Sequence, residues 1–213
     1  KTLASYSSGV LENGFSASML FSRTGGNMYA DGTNFEGYNF FVGLGYTTGA
    51  HNLEFMVTGA PQWHHQRSRA TSIENQILYG KGDGEPNRRY NEDWGYLNGE
   101  EFSFRRNFYH KPVISLSWNW EINDKTTLQT NAYASFGRGG GTGEIGEING
   151  QRQFALPRTA DGLIRVDDIV AYNSGQLVPD FSDTPREQID GLFVNNSDLN
   201  DNENNTNGIT RRA

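Results

Sequence analysis

The stretch FYHKPVISLSWNWE, residues 108–121, decides the fold. Its even positions are Phe108, His110, Pro112, Ile114, Leu116, Trp118 and Trp120; its odd positions are Tyr109, Lys111, Val113, Ser115, Ser117, Asn119 and Glu121. A period of two belongs to a strand, because successive side chains leave opposite faces of the pleat. One face here is apolar and ends in tryptophan, and the other is largely small and polar. The same alternation recurs along the chain. Phe15, Ala17, Met19 and Phe21 oppose Ser16, Ser18, Leu20 and Ser22. Tyr38, Phe40, Val42, Leu44 and Tyr46 oppose Asn39, Phe41, Gly43, Gly45 and Thr47, and Leu53, Phe55 and Val57 oppose Asn52, Glu54, Met56 and Thr58. Leu128, Ala132, Ala134 and Phe136 oppose Gln129, Asn131, Tyr133 and Ser135, and a weaker strand covers Leu3 to Val10. The pattern predicts an all-β, antiparallel fold of six strands, at about 2–11, 14–28, 36–47, 51–62, 106–121 and 126–138, with no helix.

The connections alternate in length. Glu12-Asn13-Gly14, Thr48-Gly49-Ala50 and Asn123-Asp124-Lys125 read as tight turns, rich in residues that tolerate positive φ. The others are long: about 28–36, about 61–106, and everything from about 138 to 213. Short turns at one end of a sheet and long loops at the other match an outer-membrane barrel. The aromatic residues agree, with Phe15, Tyr46, Trp118 and Trp120 near the turns and Tyr38, Phe108 and Phe136 toward the loops, as two interfacial girdles would place them. Alternation alone does not say which face meets lipid.

Composition narrows the class. Only 35% of residues are hydrophobic and mean hydropathy is -0.69, yet aromatics reach 13%, which argues against disorder and for a thin apolar face with long polar loops. No run of about 18 apolar residues exists to form a membrane-spanning helix, a test that barrel strands of about ten residues escape. The opening KTLASYSSGV lacks the basic and apolar regions of a signal peptide, so the sequence reads as mature or internal. With no cysteine, disulfides, thiolate zinc and cysteine catalysis are excluded. A net charge of -7 without a basic stripe disfavours nucleic acid.

The stretch from YSSGVLENGF through NFFVGLGY, together with TGAPQWHHQR, LNGEEFSFRRNFYHKPVISLSWNWEINDKTTL and YASFGRGGGTGEIG, resembles the early barrel strands of TonB-dependent receptors of Bacteroidetes. The likeness runs from about Leu3 to Gly146, and the tail from Asn149 to Ala213 resembles a long variable extracellular loop. The resemblance implies a cell outer-membrane location and nutrient uptake through a barrel of about 22 strands around a plug. This chain would supply about six strands of wall and the ligand-facing external loops. The implied partners are outer-membrane lipid and lipopolysaccharide, the remaining strands, the plug, the TonB complex acting through that plug, and in some receptors a surface lipoprotein. Neither plug nor TonB box is legible in this sequence, so the chain is expected to be a partial barrel domain with wall but no transport of its own.

Arg67, Arg69, Arg88, Arg89, Arg105 and Arg106 lie in or near the second long loop, interleaved with Trp63, Tyr79, Tyr90, Trp94, Tyr96 and Phe102. Guanidinium forks grip carboxylate or phosphate and aromatic faces stack rings, so Trp63, Arg67, Arg69, Arg88, Arg89, Trp94, Arg105 and Arg106 are the ligand-contact candidates. The bland reading is a loop packed on itself or clamped to lipopolysaccharide phosphate. Gly141, Gly143 and Gly146 match GxGxxG, but EINGQRQFALP after them is loop-like, so a flexible strand exit is preferred to a nucleotide site. His64 and His65 are adjacent and would point to opposite faces, which disfavours joint chelation with His110. Asp198, Asn200 and Asn202 have the spacing of a calcium loop, but Glu203 and Ile209 stand where glycine and glutamate belong; a solvated acidic loop is preferred, and otherwise no cofactor or metal is expected. No GxSxG elbow or HExxH motif occurs, so an enzyme, including an outer-membrane enzyme barrel, is not expected. The rival reading is a secreted β-sandwich that binds glycans through Trp63 and Trp94.

Overall fold

The computed structural model describes residues 1–69, 71–188, 191, 193 and 208–212. It is all-β with antiparallel sheets and two short helices. In chain order the elements are β1 (Thr2–Val10), β2 (Phe15–Asn27), β3 (Asn34–Thr48), β4 (His51–Gly59), β5 (Gln62–His65), α1 (Ile73–Leu78), β6 (Trp94–Leu97), β7 (Glu100–Ser103), β8 (Arg106–His110), β9 (Val113–Asn123), β10 (Thr126–Ser135), β11 (Arg138–Gly141), β12 (Gly143–Ile145), α2 (Val166–Asn173) and β13 (Thr210–Arg212).

The large sheet is a meander. β1 pairs with β2 and β2 with β3; β3 pairs with β4 and β5, β4 with β9, β5 with β8, β9 with β10, and β8 with β11. The pairs β4/β5, β8/β9 and β10/β11 are each one long strand interrupted once, at Ala60-Pro61, Lys111-Pro112 and Phe136-Gly137. The breaks lie side by side, because Thr58 faces Val113 and Val113 faces Ser135 just before them. Proline has no N–H to give a ladder. The prolines keep their own carbonyls as acceptors: Pro61 O accepts from Tyr38 N at 2.9 Å and Pro112 O from Phe136 N at 3.3 Å.

Contacts divide the chain into a sheet unit (residues 1–26, 35–63 and 108–140) and a loop unit (residues 27–34, 64–107 and 141–213). Register in the sheet unit sorts the side chains into rows. Val42, Val57, Ile114 and Ala134 stand opposite one another across four strands, and so do Leu44, Phe55, Leu116 and Ala132. The next row, Tyr46, Leu53, Trp118 and Thr130, leads to Thr48, His51, Trp120 and Leu128 beside the turns. On the other face the rows are Gly43, Met56, Ser115 and Tyr133, then Gly45, Glu54, Ser117 and Asn131, then Thr47, Asn52, Asn119 and Gln129. β2 joins the same scheme, since the Phe15 and Tyr46 rings lie 4.4 Å apart and Asn39 donates to the Ser22 hydroxyl.

The apolar face is not a core. Leu44 is 47% exposed, Leu116 46%, Phe55 38% and Ile114 38%, although all four sit on inner strands, while Ser115 and Ser117 are half-buried. Among the described residues every buried hydrophobic side chain belongs to the loop unit. Its core gathers Phe104, Ile148, Ile164, Val166, Ile169 and Tyr172 with Val178, Phe181 and Ile209. The tail, expected as a long variable loop, thus contributes Ile148 to Phe181 and Ile209 to a core of its own. α2 was not foreseen either: its inward face is only Val166, Ile169 and Tyr172, and eight residues are too few for a helical period to stand out. A short hairpin, β6–β7, and a two-stranded antiparallel sheet that joins β12 to the distant β13 complete the unit.

Candidate functional site

The loop unit contains two adjoining clefts. The first, about 630 Å3, is lined by Arg67, Arg69 and Arg88 together with Tyr29, Thr71 and Gln76, and Ser68 sits at its wall. That volume suits a small ligand. The segment carrying Arg67 and Arg69 is held from both sides: Gln66 N donates to Arg105 O at 2.9 Å, and Ser68 donates from both its N–H and its hydroxyl to buried Asp93 Oδ2 at 2.7 Å. The Arg67 guanidinium donates to the carbonyls of Arg88 at 2.8 Å and Tyr90 at 3.3 Å, so it binds the opposing loop without losing its charge. Arg69 lies 4.0 Å above the Phe154 ring and 3.9 Å from Glu144. Ser72 caps α1, accepting from Asn75 N at 3.2 Å, and so sets Gln76 beside the cleft.

The second cleft, about 510 Å3, shares Tyr29 and Arg88. There Lys81, Arg88 and Arg89 face Asp31, Asp83 and Glu85. Arg89 is committed to Asp31 at 2.8 Å.

The eight candidates therefore separate. Arg67, Arg69 and Arg88 converge on one cleft, with Arg89 next to it. Arg105, just before β8, is paired with the buried carboxylate of Glu144 on β12 at 2.8 Å. Trp94 is 8% exposed, with its ring against the backbone of Gly32, and is a packing residue. Trp63 is half-buried on β5 in the sheet unit. Arg106 opens β8 and is half-buried. Tyr29, Thr71, Gln76 and Lys81 were not singled out from sequence; Tyr29 comes from a different long connection, and no spacing rule links it to residues 67–88.

Two groups near this region titrate abnormally. Burial, reinforced by Arg106 and Arg211, lowers His65 to about 4, and burial pushes the Tyr90 hydroxyl up to about 12. Tyr90 donates to Gly162 O at 2.9 Å. His64 and His65 do not converge with a third donor: no group of three metal-ligating side chains occurs among the described residues. The Gly141–Gly146 motif forms the end of β11 and all of β12, and α2 begins only at Val166. The calcium-like spacing at Asp198 to Glu203 lies outside the described residues. Comparison with protein-family models, with curated proteins and with solved structures returns no match.

Proposed function

We propose that this chain is part of the transmembrane wall of an outer-membrane nutrient receptor of the TonB-dependent type, with the loop unit supplying ligand-facing external loops. The observation that carries the reading is the row of Leu44, Phe55, Leu116 and Ala132: four apolar side chains in register across four strands, exposed, with serine, glutamate and asparagine behind them. A water-soluble sheet places its apolar rows beneath a second layer. An exposed apolar face backed by a polar one is the arrangement of a strand between hydrocarbon and an aqueous or plugged lumen.

The ends of the rows support the same reading. At the tight turns, Trp118 and Trp120 stack with centroids 5.8 Å apart, and His51 lies 5.9 Å and 5.6 Å from them and accepts from Trp118 Nε1 at 3.2 Å. At the other end, His110 meets Phe40 edge to face at 5.9 Å over the open backbone of Gly59. Tyr38 to Tyr46 spans about 26 Å along the strand and Phe108 to Trp120 about 40 Å, at ~3.3 Å per residue. With a tilt of about 40° these become roughly 20 and 30 Å of depth, which brackets the ~25 Å apolar band of such barrels. β1 and β10 leave their outer edges unpaired, as strands awaiting neighbours in a larger ring do.

Tryptophan quenching tests this. In vesicles whose lipids carry bromine near the headgroup, emission should be quenched, and Trp118→Phe with Trp120→Phe should remove most of the quenching. A chain that melts cooperatively in detergent-free buffer and ignores vesicles would overturn the proposal.

A further inference from the structure

Among the described residues, the cleft of about 630 Å3 carries three guanidinium groups and no carboxylate on its lining. Its neighbour is an internal control, where three cations meet Asp31, Asp83 and Glu85. The two carboxylates that touch the cleft's described residues, Glu144 and Asp93, are already engaged. Glu144 is 3.9 Å from Arg69 but 2.8 Å from Arg105, and Asp93 accepts twice from Ser68. Arg67 is fixed on two backbone carbonyls, and Arg69 is laid over Phe154. The Arg88 guanidinium has no hydrogen bond or ion pair among the described residues, and it is exposed. Two positioned cations and one free to close, in a chain of net charge -7, make a local reversal of sign.

We infer that this cleft binds a ligand bearing more than one oxyanion. Arg67 and Arg69 act as preset donors, Arg88 folds onto the ligand, and exposed Tyr29 covers its uncharged part. A polycarboxylate, a phosphate ester and the phosphates of lipopolysaccharide all present this chemistry. That the ligand is then imported rests on the receptor proposal, whereas the affinity for anions does not.

The test is a calorimetric titration of the full chain with citrate, with inorganic pyrophosphate and with lipopolysaccharide, in low and high salt. Saturable binding of at least one probe is expected, weakened by salt. Arg88→Gln should bind about tenfold more weakly, the loss of one charge-assisted contact. Arg89→Gln, whose partner is Asp31, should stay within about twofold of the parent, as expected for an exposed pair outside the contact. The probe that binds identifies the source. Absence of saturable binding to all three, or equal binding by Arg88→Gln and the parent, overturns the inference. Vesicle association of the same samples reports separately on the receptor reading: a chain that binds citrate but ignores lipid keeps the cleft and loses the receptor.

Discussion

Replacing Leu116 with arginine places a charge in the middle of the exposed apolar face. Leu116 stands four residues from Trp120 and eight from Phe108 on the same face of the β8/β9 strand. In the proposed wall, at about 3.3 Å per residue and a tilt of about 40°, it would lie roughly 10 Å inside the turn-side aromatics and roughly 20 Å from the other set. Arginine at such depth on a lipid-facing barrel surface costs about 2–4 kcal/mol, falling to about 0–1 kcal/mol near the interface. Leu116→Arg should therefore lose about 2–3 kcal/mol. Thr48→Arg, on the same face in the row of His51 and Trp120, should lose less than about 1 kcal/mol. Ser117→Arg, one residue along and on the polar face opposite Glu54 and Asn131, should also lose less than about 1 kcal/mol. The assay is a urea titration of the protein folded in lipid vesicles, with the midpoint read by circular dichroism. A face packed against protein would show no gradient with depth between Leu116 and Thr48. Equal losses at Leu116 and Ser117, or a loss under about 1 kcal/mol at Leu116, would refute the assignment of faces.

Three further outcomes follow from the loop unit. Gly32 has φ +65 and a Cβ there would strike the Trp94 indole, so Gly32→Ala should cost about 2–3 kcal/mol and raise hydrogen exchange through residues 27–34. His65 takes its proton near pH 4 when folded and near 6.5 when unfolded, so its contribution is intact above about pH 6.5 and is lost as pH falls toward 4, by about 3 kcal/mol in all. His65→Gln should flatten that part of a stability-versus-pH curve. Glu144→Gln should cost about 1–3 kcal/mol by leaving Arg105 without its charged partner, and a double-mutant cycle with Arg105→Gln should return a coupling of about 1–2 kcal/mol.

The sheet was legible because each strand repeats one binary choice many times. Phe15 to Phe21 and Ile114 to Trp120 keep their phase, and the turns at Asn13-Gly14 and Thr48-Gly49 carry glycines with φ of +82 and +51. Period two does not distinguish an uninterrupted strand from one with a kink, so the breaks at Pro61 and Pro112 appeared only in the structure. In the long loops the determinants are either brief or distant. Asn98-Gly99, with φ of +52 and +81, bears the signature of a two-residue hairpin turn, but its flanking strands of four residues each are too short for a period of two to stand out. The arginine candidates were visible as a composition, but their counterions were not. Glu144 is 39 positions from Arg105 and Asp31 is 58 from Arg89, and among the described residues these pairings leave Arg67 and Arg88 without a carboxylate partner and Arg69 with only a 3.9 Å share of Glu144.

The aligned interruptions at Ala60-Pro61, Lys111-Pro112 and Phe136-Gly137 have a consequence for how such a chain can change. In a continuous ladder, one inserted residue slips the whole strand and swaps its two faces, which here would put Ser115 and Ser117 where Ile114 and Leu116 stand. A seam across three adjacent strands confines such a slip to one side. Segments beyond it can lengthen, shorten or exchange residues while Ile114, Leu116 and Trp118 stay in step with Val57, Phe55 and Leu53. The seam thus acts as a mechanical fuse between a part whose phase must not vary and a part free to diversify.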